Sequence, residues 1–167
     1  YSKNLLSFPR NIKNKYDYKG KINIKKITNK TNFLVFGAGE TVKKYKKKIL
    51  NYINKNKPYV ISVNFNKFIA DKHIDNYSAL NFQRFVLDFK YYLDTNRKII
   101  LPKSLMEKHL GKNNISKLKV IDFGTKIKKN DMKVFDNYSE IPNFLTDTYV
   151  FSFILACKPK KITLAGF

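Results

Sequence analysis

An apolar run that meets two glycines and turns at once into a lysine-studded helical pattern limits this chain more than any other stretch of it. The stretch is Asn32–Asn56, NFLVFGAGETVKKYKKKILNYINKN. Phe33, Leu34, Val35 and Phe36 read as a strand, and Gly37-Ala38-Gly39 as its turn. Val42, Tyr45, Ile49 and Ile53 then fall at helical spacing on one face, with Lys43, Lys44, Lys46, Lys47 and Lys48 filling much of the rest. Strand, glycine turn and helix open a βαβ unit. Such a unit presents unpaired backbone N–H groups at a helix start, where an anion such as a phosphate is stabilised.

The remainder repeats the rhythm. Thr31–Phe36 predicts the first core strand, and a helix follows over about Thr41–Asn54 with Pro58 in its exit loop. Tyr59–Val63 predicts a second buried strand ending in Asn64-Phe65-Asn66. Lys67–Asn81 reads as a polar surface loop. Phe82–Leu93 fits either a strand or a helix, and the alternation favours a strand over Phe89–Asp94, which would put Asn96 and Arg97 at a strand's carboxyl end. Lys98–Leu101 is a short apolar run that Pro102 stops, and a helix through about Leu110 ends at Gly111. Strands at Leu118–Phe123 and Lys161–Ala165, and a weaker one at Met132–Phe135, complete the pattern. Before the closing strand, Thr146 or Asp147 caps a helix with Val150, Phe153, Ile154 and Cys157 inward. Short buried strands separated by helices predict an α/β fold, a three-layer Rossmann-like arrangement around a mostly parallel sheet. The α/β domain is expected over 31–167, with 1–30 a lead-in or linker from an upstream part. Within that lead-in, Ile22, Ile24 and Ile27 suggest a weak edge strand over Lys21–Ile27. The start at Tyr1 and the stop just after an apolar run read as a fragment of a longer protein.

With 167 residues and 43% hydrophobic composition, the chain can bury a core as one domain. No apolar run approaches the ~20 residues of a membrane span, and no signal-peptide pattern stands at the start of the given stretch. The single cysteine, Cys157, cannot support a disulfide framework, so a reducing cytoplasm is expected. The formal charge of +22 invites a nucleic-acid reading. Nearly all of it is lysine, with only Arg10, Arg84 and Arg97 as forks, and the lysines travel with many Asn and Ile residues. A solvated lysine surface with non-specific polyanion affinity at low salt is the favoured reading, and a basic nucleic-acid-binding module the alternative.

Open parallel sheets take ligands beyond the carboxyl ends of their strands. The candidates there are Gly37, Ala38, Gly39, Glu40 and Thr41 after the first strand, Asn64 and Asn66 after the second, Asn96 and Arg97 after the third. Asp122 and Gly124 follow a later strand, and Gly166 the last. Amides of Gly37–Thr41 would hold a phosphate, Asn64 and Asn96 would read a sugar or base edge, and Arg97 would neutralise charge. Against NAD stand the amides at the tip of strand two, where an acidic residue would hold the ribose, and Val42 in place of the third glycine. Asp71, His73 and Asp75 alternate like metal ligands, but a flexible polar loop accounts for them. His73 and His109 stand alone, with His109 expected to cap a short helix. No triad, zinc spacing or Walker loop is present.

FLVFGAGETVKKYKKKILNYINKNKPYVISVNF resembles the segment that follows the barrel in HMG-CoA-lyase-like (DRE-TIM) aldolases encoded with bacterial surface-polysaccharide genes: a G-x-G-x-[ST]-V turn, a helix with Tyr and Ile at this spacing, then P-x-V-I-S-x-N-F. YYLDTNRKI resembles that family's strand ending in S-N-[RK]-[RK], and TDTYVFSFILACKPKKITLAGF its closing helix and L-A-G-F strand. The resemblance runs from Phe33 onward. It implies an accessory C-terminal domain whose partner is an upstream aldolase barrel, and a nucleotide or sugar-nucleotide as ligand. The barrel of ~250 residues and its His-x-His pair are not in this chain, so lyase activity is not implied for it. The same features are similar to bacterial sialyltransferases and motility-associated glycosyltransferases, whose G-x-G-x-S turn and post-strand Asn match Gly37, Gly39 and Asn64. Glu40 and Thr41 replace the Pro and Ser usual there. A glycosyltransferase using a nucleotide-sugar donor is therefore the alternative.

Overall fold

Alternation along strand β1 (Asn32–Phe36) divides the interior in two. Phe33 and Val35 pack into one apolar cluster, and Leu34 and Phe36 into another. A strand buried on both faces needs a layer on each side, and helices provide both. The computed structural model describes residues 17–167. After β1 come helices α1 (Glu40–Lys44) and α2 (Lys46–Asn56), then β2 (Tyr59–Val63), β3 (Asn76–Ser78), α3 (Phe82–Asp94) and β4 (Lys98–Leu101). Helices α4 (Lys103–Leu110) and α5 (Lys112–Ile115) lead to β5 (Val120–Asp122). Short strands β6 (Gly124–Ile127), β7 (Lys133–Val134) and β8 (Tyr138–Ile141), helix α6 (Thr146–Ala156) and β9 (Lys161–Ala165) complete the fold.

Six strands form one sheet in the order β5-β4-β3-β2-β1-β9, every adjacent pair parallel. This is the three-layer α/β, Rossmann-like architecture that the strand–helix rhythm predicts. Val42, Ile49, Phe85, Tyr92, Met106 and Ile115, from the helices between β1 and β5, join the cluster on one face. Tyr149, Val150, Phe153 and Ile154 of α6 join the cluster on the other. The remaining three strands form a second sheet, β6-β8-β7, in which β6 and β8 are parallel and β7 antiparallel. It rests on α6, where Ser152 Oγ donates to Ser139 Oγ at 2.8 Å.

Several expectations change. Phe82–Asp94 is one helix, not a strand over its second half. Asn81 caps it by accepting from Arg84 N–H at 3.0 Å, and a buried strand over Phe89–Asp94 would have covered Tyr91 and Leu93, which are 50% and 43% exposed. The strand that fills the third position is β3, inside the stretch read as a polar loop. Tyr77 and Ser78 are fully buried there although polar, and Tyr59 and Tyr77 hydroxyls donate to Asn76 and Asp71. Polar atoms with intramolecular partners can occupy a core, which hydropathy alone does not register. The single helix expected after Gly39 is broken at Tyr45. Lys43/Lys47 and Lys44/Lys48 are like-charge i,i+4 pairs that disfavour an unbroken helix, and Lys44 and Lys48 both lie over the Tyr45 ring, at 5.5 and 5.6 Å. The edge strand over Lys21–Ile27 is a single 3-10 turn, Ile24–Lys26. Residues 1–16 of the expected lead-in lie outside the described residues. Helix α6 begins at Thr146 itself without a side-chain cap. No helix among the described residues is long and apolar enough to cross a membrane.

Candidate functional site

The chain steps outward from β1 to β5 and then returns to lay β9 against the other side of β1. Strand order therefore reverses between β1 and β9, and their carboxyl ends carry Gly37 and Gly166. Gly37 N–H donates to Ala165 O at 3.2 Å, and Gly37 O accepts from Asn66 Nδ2 at 2.9 Å. Gly166 has φ +72°, and a Cβ on it would come within 2.3 Å of Val42 Cγ2. The close packing belongs to these two residues. A Cβ on Gly37 would meet Gly166 O at 2.6 Å, whereas one on Gly39 would meet nothing closer than Thr41 Oγ1 at 3.6 Å.

Gly37 is buried, Ala38 half-buried, and Gly39, Glu40 and Thr41 are exposed. Among the described residues, the N–H groups of Ala38, Gly39, Glu40 and Thr41 make no backbone bond outside the helix. Gly39 caps α1 with extended backbone and no side-chain bond. Because α1 is a single turn, its dipole is small, and the free N–H groups themselves are what an anion would use. Glu40 opposes that anion, with its carboxylate 3.7 Å from Lys43 Nζ.

Asn64 ends β2 in the left-handed region at φ 61°, a conformation asparagine tolerates better than most residues. Its N–H donates to Ser78 O at 2.8 Å and its carbonyl accepts from Ser62 Oγ at 2.9 Å. Asn64 Oδ1 and Ser78 Oγ are both buried without partners among the described residues, at the carboxyl ends of adjacent strands. Asn66 is fully committed: besides its bond to Gly37, its Oδ1 accepts from Phe68 N–H at 2.8 Å and Ile69 N–H at 3.1 Å.

Asn96 and Arg97 do not join this group. Because α3 replaces the expected strand, they precede β4 and stand at the amino edge of the sheet. Asn96 Oδ1 accepts from Lys119 Nζ at 3.0 Å, and Arg97 Nε donates to Asp71 O at 2.9 Å. Asp122 does sit at a carboxyl end, but its oxygens hold Lys21 N–H at 3.1 Å and Lys103 N–H at 3.0 Å, tying the start of α4 to the sheet edge. Burial raises its carboxyl pKa against those bonds. Gly124 lies at the foot of the small sheet, its N–H donating to Asn137 O at 2.9 Å.

Parallel strands are usually joined through a helix. Between β2 and β3 the connection holds only a 3-10 turn, Asp71–His73. Beside it lies a groove of about 680 Å³ that opens on the glycine turn at Ala38–Glu40 and is walled by Phe65–Asp71, Tyr77 and Arg84, Asp88 and Tyr91 of α3. Phe65 and Tyr91 stack with ring centroids 4.3 Å apart and planes 4° from parallel. The Arg84, Asp88 and Tyr91 contribution escaped the sequence reading. Its signal was the i, i+4, i+7 spacing, legible only once Phe82–Asp94 is taken as a helix.

Asp71, His73 and Asp75 diverge. Tyr77 and Thr95 hydroxyls donate to the Asp71 carboxylate, while Asp75 accepts from Val60 N–H at 2.7 Å. No group of three His, Cys, Asp or Glu among the described residues could hold a metal ion. Burial pushes the Cys157 thiol up to about 12, so at neutral pH it is an unreactive small hydrophobe. Tyr59, Tyr77, Tyr92 and Tyr149 are buried and offer no stacking face to a nucleic acid, whereas Tyr45 and Tyr91 are exposed.

His109 lies against Phe82, ring centroids 4.3 Å apart, with Nε2 buried and unpartnered among the described residues. Burial, and then Lys108, lower its pKa from the ordinary 6.5. The unfolded chain gains this proton near pH 6.5 and the folded protein only at lower pH, so stability falls as pH drops below about 6.5. Comparing Tm between pH 7 and 5 for the protein and His109→Gln is expected to show a shallower fall in the variant. Parallel curves would contradict it.

Comparison with family models, curated proteins and solved structures finds no match to this chain.

Proposed function

We propose that this chain is a Rossmann-like accessory domain, without catalysis of its own, that binds a nucleotide or sugar-nucleotide at the carboxyl edge between β1 and β9. The observation that carries the reading is the reversal of strand order at Gly37 and Gly166, beside the free N–H groups of Ala38–Thr41. Asn64 Oδ1 and Ser78 Oγ, at the next two strand ends, are buried and do not line the groove, so they form no part of the ligand surface. The parent is an aldolase-type protein of surface-polysaccharide biosynthesis. Its support is the ordered run of motifs from Phe33 onward, and an upstream reading frame lacking a barrel with a His-x-His pair would overturn it. Glycosyl transfer needs a general base near the ligand. His73, in the connection between β2 and β3, precedes β3 and so stands toward the opposite edge of the sheet.

A thermal-shift screen with CMP, UDP, GDP, their sugars and NAD tests the ligand reading. Saturation at ~100 times Kd should stabilise the fold by roughly 2.7 kcal/mol. Glu40→Gln removes a carboxylate from the anion's surroundings and is expected to tighten binding roughly threefold. Silence of the whole panel, or weaker binding by Glu40→Gln, counts against the turn as an anion site.

A further inference from the structure

We propose that the groove beside the glycine turn is the recognition half of the same site, in which Arg84 forks the phosphate and the Phe65–Tyr91 stack receives a nucleobase. The proposal rests on the reading of the turn as an anion site and extends it to residues outside the turn. Arg84 is an arginine already held in place. Its Nε donates to Asp88 Oδ2 at 2.6 Å, with the Asp88 side chain 7% exposed and that of Arg84 47% exposed. Among the described residues neither terminal guanidinium nitrogen has a partner, so a fork remains for a phosphate. Asp88 is thus a positioning residue.

Helix α3 starts just beyond the carboxyl end of β3, which puts Arg84, in its first turn, at the same edge of the sheet as Ala38–Thr41. Tyr91 lies on the same face, about 10 Å farther along the helix axis at 1.5 Å per residue. A phosphate and a base joined through one pentose span a gap of that order. Phe65 backs the Tyr91 ring, and Tyr91 keeps half its surface open, so the platform is rigid and accessible. Stacking on such a platform accepts any base, which leaves the class as nucleoside phosphates without choosing among them. Of the other carboxylates lining the groove, that of Asp71 is occupied by two hydroxyl donors and that of Glu40 lies 3.7 Å from Lys43 Nζ.

Isothermal titration with AMP, CMP, adenosine, cytidine and ribose 5-phosphate tests this on the protein, Tyr91→Ala and Arg84→Lys. Both side chains are substantially exposed, and the lysine of Arg84→Lys can still pair with Asp88; circular dichroism checks each fold. Nucleotides are expected to bind at least about tenfold more tightly than ribose 5-phosphate. Tyr91→Ala should erase that preference while leaving ribose 5-phosphate affinity unchanged. Arg84→Lys should weaken nucleotides and ribose 5-phosphate alike, by about tenfold, and leave nucleosides untouched. Ribose 5-phosphate binding as well as nucleotides, or a preference that survives Tyr91→Ala, overturns the groove while leaving the turn intact. Failure of every compound overturns both.

Discussion

Gly37→Ala is expected to cost about 3 kcal/mol of folding stability, whereas Gly39→Ala, two residues on, should stay within about 0.5 kcal/mol. The two glycines look equivalent in the sequence. In the structure the Cβ added at Gly37 lies 2.6 Å from Gly166 O, a backbone atom that cannot rotate away. Relief requires β1 and β9 to part at their carboxyl ends, which breaks the 3.2 Å bond from Gly37 N–H to Ala165 O. At Gly39 the nearest atoms are 3.6 and 3.7 Å away and φ is −77°, an ordinary value for alanine. Urea denaturation of the two variants measures the contrast. Equal midpoints would mean that the close approach of β1 to β9 is wrong, and with it the place of the candidate site.

Asn66→Ala should lose a similar amount, about 3 kcal/mol. Its amide, 2% exposed, joins the end of β1 to the connection that walls the groove, through Gly37 O, Phe68 N–H and Ile69 N–H. Truncation strands up to three backbone groups, each costing about 1–3 kcal/mol when left buried and unpaired, less whatever water recovers. Amide hydrogen exchange should accelerate first at Phe68 and Ile69, because these lose their acceptor directly. A loss below about 1 kcal/mol with unchanged exchange would show that Asn66 ends a strand and does nothing more.

Legibility followed the kind of signal each element carried. Tyr59–Val63 and Lys161–Ala165 are strands with the bounds their apolar runs predict. Pro102 and Gly111 bracket α4 as start and stop residues should. Phe82–Leu93 supported two periods at once, and its helical outcome moved Asn96 and Arg97 to the far edge of the sheet while delivering Arg84 and Tyr91 to the groove. Asn76–Ser78 carried no apolar signal, since hydrogen bonds from Tyr59 and Tyr77 are what admit its polar neighbourhood to the core.

Local pattern alone determined that this chain alternates buried strands with amphipathic helices, because burial on both faces of a strand and on one face of a helix is written in residue spacing. Only the tertiary structure decided which strand lies beside β1. That choice depends on the long return from β5 to β9, whose outcome no short-range spacing encodes. It placed Gly166 against Gly37, made Gly37 rather than Gly39 the tight residue, and opened a groove where the crossover from β2 to β3 lacks an α-helix.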